Sequence, residues 1–274
     1  MYRRLTIVAG TALALVAAAG TTMWRYQQVA PEQAATTLPV PPYPPRIASG
    51  DTYERCLTVL ADDPDSAKAS AEAWAASGGG DAAAHCLGLA LIATGHPDLG
   101  AERLEALAKA SLAPNLARAT VLAQASQARL MANQPDRARD DATWALALAP
   151  LDTALLIQRA LASEASGRRD DAIADLTRVL TLDIGRVDAL VLRAAVWRRG
   201  NRLDLASADA DRAIGLEPDN AEALLERGID RQRLGDAAGA RSDWQRVRQL
   251  DPNSTTADLA EQNLALLDAG PNQR

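Results

Sequence analysis

Cys56, Cys86, His85 and His96 are the side chains of this chain best suited to metal binding or nucleophilic attack. A catalytic thiolate needs a base within hydrogen-bond reach, and a zinc site needs three or four ligands converging on one point. His85 is adjacent to Cys86, so on a helix the two side chains diverge by about 100° and face different ways. That disfavours a Cys-His nucleophile and a metal site alike, and His96 is the one other imidazole. Gly78-Gly-Gly80 lacks the Lys-Ser/Thr that ends a phosphate loop, so it reads as a turn between helices. Asp62, Asp63 and Asp65 lack the glycine and closing glutamate of a calcium loop and read as a solvated turn. Asn253-Ser-Thr255 matches a glycosylation acceptor, a pattern too short to decide anything. No enzyme, cofactor or metal is expected from these residues.

The elements that hold them follow from three prolines. Pro150 and Pro218 are two steps of about 34 residues apart, with Ile184 at the midpoint, and Pro252 lies one further step on. A period near 34 is the arithmetic of a helical hairpin repeat, and each proline ends a hairpin because it cannot continue a helix. Segments 119–150, 153–184, 187–218 and 221–252 then align column by column. The fourth position reads Leu122, Leu156, Leu190, Leu224; the eighth reads Ser126, Ala160, Ala194, Gly228; the twentieth reads Ala138, Ala172, Ala206, Ala240. Small side chains are required where two helices cross closely, which makes the eighth and twentieth columns the crossing and the leucines the core beside it.

Two charged columns refine the register. The seventh reads Arg159, Arg193, Arg227 and the twenty-third Asp141, Asp175, Asp209, Asp243. A turn centred on the fifteenth position, marked by Gly167 and Gly235, sets these columns face to face. Ion pairs Arg159–Asp175, Arg193–Asp209 and Arg227–Asp243 are therefore expected as a staple inside each hairpin, with a ligand clamp as the rival reading. Asp141 faces Ala125 and has no such partner in its own hairpin.

These columns resemble the tetratricopeptide repeat family over residues 119–252, with large residues at the twenty-fourth position in two copies, Leu176 and Trp244. The departures are Ala142 and Ala210 in that column, and an aromatic at the eleventh position in one copy alone, Trp197. The resemblance implies an all-α, right-handed solenoid of about six hairpins and a C-terminal capping helix. It also implies a concave groove lined by the second, fifth, ninth and twelfth positions of each first helix. In this chain that register selects Ile157, Leu161, Glu164, Asp188, Val191, Ala195, Arg198, Glu222, Leu225 and Ile229, an apolar stripe with a polar rim; the same fifth column takes in His85 and Ala123, the ninth Gln127 and the twelfth Gln232. The opposing reading is that the aliphatics only pack against neighbouring hairpins. Chaperone-binding members carry Lys and Asn at the fifth and ninth positions to grip a peptide carboxylate, and those are missing. An apolar groove suits an apolar or amphipathic segment of a partner protein.

Flanking segments extend the array. Residues 48–118 read as two divergent hairpins, with Gly88 at a crossing and Ala101 in the twentieth-column role; residues 253–274 read as a cap with Ser254 as N-cap. Residues 1–24 place Arg3 and Arg4 before an uncharged apolar stretch, which reads as an export signal, cleaved near Ala17-Ala-Ala19 or kept as an inner-membrane anchor. Residues 25–47, with Pro39-Val-Pro-Pro-Tyr-Pro-Pro45, read as a stiff spacer. The expected product is periplasmic, soluble or tethered, in a chain of bacterial character. In such a solenoid the first helices of successive hairpins run side by side, so export and an even count make a Cys56–Cys86 disulfide the leading reading over two buried thiols.

Composition agrees. Phenylalanine is absent and nothing reads as strand, while a net charge of −6 argues against a nucleic-acid binder. Basic clusters at Arg168-Arg169, Arg198-Arg199 and 231–233 read as solvated charge near turns. Function then reads as a non-catalytic interaction scaffold in the cell envelope. The alternative is a module assisting cytochrome c maturation or another secretion or assembly pathway.

Overall fold

The computed structural model describes residues 46–269, which form an all-α solenoid of helical hairpins. The expected export segment lies outside the described residues, as does the spacer up to residue 45. Ile47, at the end of that spacer, is already buried in the core.

Six hairpins follow in chain order. They pair α1 (Asp51–Asp62) with α2 (Pro64–Ala76), α3 (Gly80–Ala93) with α4 (Pro97–Ala110), and α5 (Asn115–Met131) with α6 (Pro135–Leu148). Next come α7 (Thr153–Ala165) with α8 (Arg169–Leu182), α9 (Val187–Arg199) with α10 (Leu203–Leu216), and α11 (Ala221–Arg233) with α12 (Ala237–Leu250). The helix α13 (Thr255–Ala269) packs on α11 and α12 and covers the end with Ala257, Ala260 and Leu264. Ser254 caps it, its hydroxyl accepting from the Ala257 amide at 3.1 Å.

The crossing columns are buried throughout: Ser126, Ala160, Ala194 and Gly228 on the first helices, Ala138, Ala172, Ala206 and Ala240 on the second. Their size is set by what lies opposite. A methyl group at Gly228 would overlap the Trp244 indole, which fills the core of the last hairpin and donates to the Leu225 carbonyl at 3.3 Å. Gly88 stands in the same relation to Leu104.

Each regular hairpin turns through one left-handed residue at the fifteenth position: Asn133 at φ 56°, Gly167 at 77°, Asn201 at 59°, Gly235 at 90°. Glycine meets this demand without strain and asparagine is the side chain that best tolerates it. The first helix of the third hairpin starts at Asn115, four residues ahead of its repeat column, because Pro114 is extended at ψ 147° and the helix begins directly after it.

Arg159, Arg193 and Arg227 each make a two-pronged contact with Asp175, Asp209 and Asp243, at 2.6 to 2.9 Å. These aspartates are buried, and the bidentate fork satisfies both oxygens of each. Asp141 departs from the expectation of no partner within its hairpin. Arg129 on α5, one turn beyond the seventh column, brings Nε to 3.8 Å from Asp141 Oδ2. That is an ion pair without a hydrogen bond, since the Arg129 fork is taken by Gln134 and Glu105. Burial, then the Glu105 carboxylate, push the Asp141 carboxyl up to about 7 against the pull of Arg129.

Candidate functional site: the first-helix face

First helices meet along the solenoid, α1 with α3, α5 with α7, α9 with α11, and α11 with the cap α13. Their shared face is the expected groove, and it divides into three zones.

At the N-terminal end the face is closed. Tyr53 Oη lies 2.5 Å from His85 Nδ1, and His85 Nε2 lies 2.7 Å from Gln124 Oε1, so one imidazole ties α1, α3 and α5 together. In the consistent assignment Nε2–H donates to Gln124 and Nδ1 accepts from the tyrosine hydroxyl. Burial pushes His85 down to about 4, opposed by the Gln124 bond, and the ring is neutral. His85 is therefore a core residue in a polar relay instead of a groove residue. Cys56 and Cys86 are disulfide-bonded beside it, with Cα atoms 6.4 Å apart.

In the middle zone Ile157 and Leu161 remain partly exposed, whereas Val191 at 3%, Ala195 at 2% and Leu225 at 2% are sealed. The expected continuous apolar stripe is corrected here: Val191 and Leu225 of the fifth column and Ala195 of the ninth pack inward against adjoining helices, where apolar burial is most favourable. The expected polar rim is corrected too. Glu164 Oε1 accepts from Arg199 Nε at 2.5 Å, and Arg198 forks onto Glu226 at 2.9 and 3.2 Å. Both tie one hairpin to the next. The 231–233 cluster is engaged as well: Arg231 reaches Asp243 within its own hairpin at 2.8 Å, and Arg233 donates to the Arg198 carbonyl of the preceding one at 2.9 Å.

The C-terminal zone is acidic. Asp188 is exposed and held by Arg186 at 2.8 and 3.0 Å, and Ile229 is partly exposed. Glu222 is half-buried, its carboxyl pushed up by burial and then by the Asp188 and Glu226 carboxylates. Glu222, Glu226 and Asp230 stand at i, i+4 and i+8 on α11, one face of a helix. Asp230 is 0% exposed and neither oxygen accepts a hydrogen bond; its nearest cation is Arg198 Nε at 3.9 Å. Burial and Glu226 push its carboxyl up to about 7. Sequence reasoning missed Asp230, although its column reads Ala128, Ala162, Val196, Asp230, one acid among apolar residues.

Away from this face, a cavity of 530 Å³ opens between Arg168, Arg169 and Ile173 of one hairpin and Trp197 and Arg202 of the next. The Arg202 guanidinium lies 5.8 Å from the Trp197 ring centre. Among the described residues no cluster of His, Cys, Asp and Glu could hold a metal ion. No helix among them is long and apolar enough to cross a membrane.

No protein-family model matches the chain, and no curated protein matches it. Solved structures do. The crystal structure of MamA is similar over 66% of this chain and 97% of its own, at 17% identity and a TM-score of 0.52. MamA from residue 41 onward, from Desulfovibrio magneticus RS-1, is similar over 63% of this chain and 95% of its own, at 16% identity and a TM-score of 0.54. The first tetratricopeptide domain of Spaghetti (RPAP3), bound to the HSP90 peptide SRMEEVD, is 24% identical over 43% of this chain and 90% of its own, with a TM-score of 0.40. The fold is the tetratricopeptide-repeat fold. In this tetratricopeptide solenoid the buried staples and inter-hairpin ties absorb most of the charge on the first helices, which leaves Ile157, Leu161, Asp188, Glu222 and Ile229 as the open part of the groove register.

Proposed function

We propose that this chain is a non-catalytic protein–protein interaction scaffold of the bacterial cell envelope, taking up an amphipathic segment of another protein along its first-helix face. The observation that carries the reading is the survival of accessible apolar groups, Ile157, Leu161 and Ile229, on a face whose other apolar groups, Val191, Ala195 and Leu225, are sealed. A helical or extended segment laying alternate apolar anchors across them uses a recognised mode of groove binding. Asp188 and the half-buried Glu222 favour a partner whose polar flank is positively charged. The envelope location rests on residues 1–24 and the proline-rich spacer, and it includes both the soluble periplasmic product and the membrane-tethered one.

The test is affinity capture of the full chain from its own cells, compared with an Ile157→Glu, Ile229→Glu variant. Leu225 is unsuitable for that purpose because it is core, and a carboxylate there would unfold the hairpin. Loss of a defined partner from a variant with unchanged helicity supports the proposal. Retention of every partner overturns it.

A further inference from the structure

The first hairpin is built differently from the rest. α1 buries Tyr53, Cys56 and Leu60, and α2 buries two alanines, Ala67 and Ala71. Like the second hairpin, it has no Arg–Asp staple of the kind that spans hairpins four to six. Hairpins two to five share one continuous apolar cluster that reaches Ala223 of the sixth, and the rest of the sixth packs with the cap. The first hairpin joins the main cluster through Ile47, Leu60 and Ala67, while Cys56, Ala71, Cys86 and Leu87 form a small cluster of their own. Its remaining attachments to the second hairpin are the packing of α2 on α3, with Trp74 against the small cluster, the Cys56–Cys86 disulfide and the Tyr53–His85 hydrogen bond.

We propose that α1–α2 is a redox latch: reduction of Cys56–Cys86 releases this hairpin from α3 while hairpins three to six stay folded. Both cysteines are buried, Cys56 at 8% exposure and Cys86 at none, and exchange starts at the less buried residue. A dithiol reductant supplies the chemistry. Its thiolate bonds to Cys56 Sγ, and Cys86 leaves as a thiolate and takes up a proton. The second thiol of the reductant then closes the reductant's own disulfide, and Cys56 is released as a thiol. Two electrons pass to the protein and two thiols result.

Release has a structural consequence. The α3 face carrying Cys86 and Leu87, covered in the closed state, becomes the open end of the solenoid and presents an apolar edge. The bridge closes a loop across a sequence separation of 30, and losing a constraint of that size changes opening equilibria by about several hundredfold.

Hydrogen exchange read by mass spectrometry on the full oxidised chain, with and without dithiothreitol at pH 7, tests this. Exchange over residues 51–76 is expected to accelerate by about several hundredfold on reduction while residues 119–250 keep their protection. A Cys56→Ala, Cys86→Ala variant is expected to show the fast pattern with or without dithiothreitol. Unchanged protection over 51–76 in reduced protein overturns the latch. So does loss of protection along the whole solenoid, because the disulfide would then be a global staple.

Discussion

Replacing Asp230 with valine should stabilise the protein, and the gain should grow with pH. Asp230 occupies a column that is Ala128, Ala162 and Val196 in the other hairpins, is fully buried, and accepts no hydrogen bond. Its carboxyl is pushed from 3.8 up to about 7. With a folded-state value above the unfolded one, the native state holds an extra proton between about pH 4 and 7, and stability is lost as pH rises through that window. At about 1.4 kcal/mol per unit the ceiling is about 4 kcal/mol at pH 8. Removing the Arg198 contact at 3.9 Å returns part of that, although Arg198 keeps its fork on Glu226. A net gain of about 1–3 kcal/mol at pH 8 is expected, falling below about 1 kcal/mol at pH 4.5. Urea unfolding of both proteins at the two pH values measures it, with Trp244 in the same hairpin as local reporter. Destabilisation of the valine variant at pH 8, or a difference that does not move with pH, refutes the reasoning.

Three other outcomes follow from the same coordinates. Arg193→Met leaves the buried Asp209 without its fork and should cost about 3 kcal/mol by urea unfolding, while Arg193→Met with Asp209→Leu should recover most of it. His85 is pushed down to about 4, so its neutral form is favoured in the folded state; stability present above pH 6.5 should fall by up to about 3 kcal/mol as pH drops through 4, a slope absent from His85→Gln. Gly228→Ala should destabilise by about 2 kcal/mol through overlap with the Trp244 ring, and Trp244→Leu in the same chain should relieve it, as Leu176 accommodates Ala160 two hairpins earlier; thermal melts of the four proteins close the cycle.

The hairpins were readable because close helix crossings admit few side chains. Ala138, Ala172, Ala206 and Ala240 have no freedom to vary in size, and so the period shows. Asn133 and Asn201 were readable in principle as the asparagine counterparts of Gly167 and Gly235, since both residue types tolerate the left-handed turn. The groove was less legible. Leu225 and Ile157 share a column and a chemical class, yet one is sealed and the other half-open, because that column serves both inter-hairpin packing and the groove. Periodicity cannot separate the two uses. Arg198 to Glu226 and Arg199 to Glu164 were hidden for a related reason: the partners are 28 and 35 residues apart, offsets that acquire meaning once it is known which columns of adjacent hairpins touch.

The central claim is that a partner protein lies on the first-helix face. A photo-crosslinking residue placed in turn at Leu161, Ile229, Leu182 and Leu216 of the full chain, irradiated in its own cells, tests it most directly. The first two lie on first helices in the open groove register, and the last two are exposed on second helices. Crosslinks to a common partner from positions 161 and 229 and none from 182 and 216 are predicted. Crosslinks confined to 182 and 216 would contradict the account.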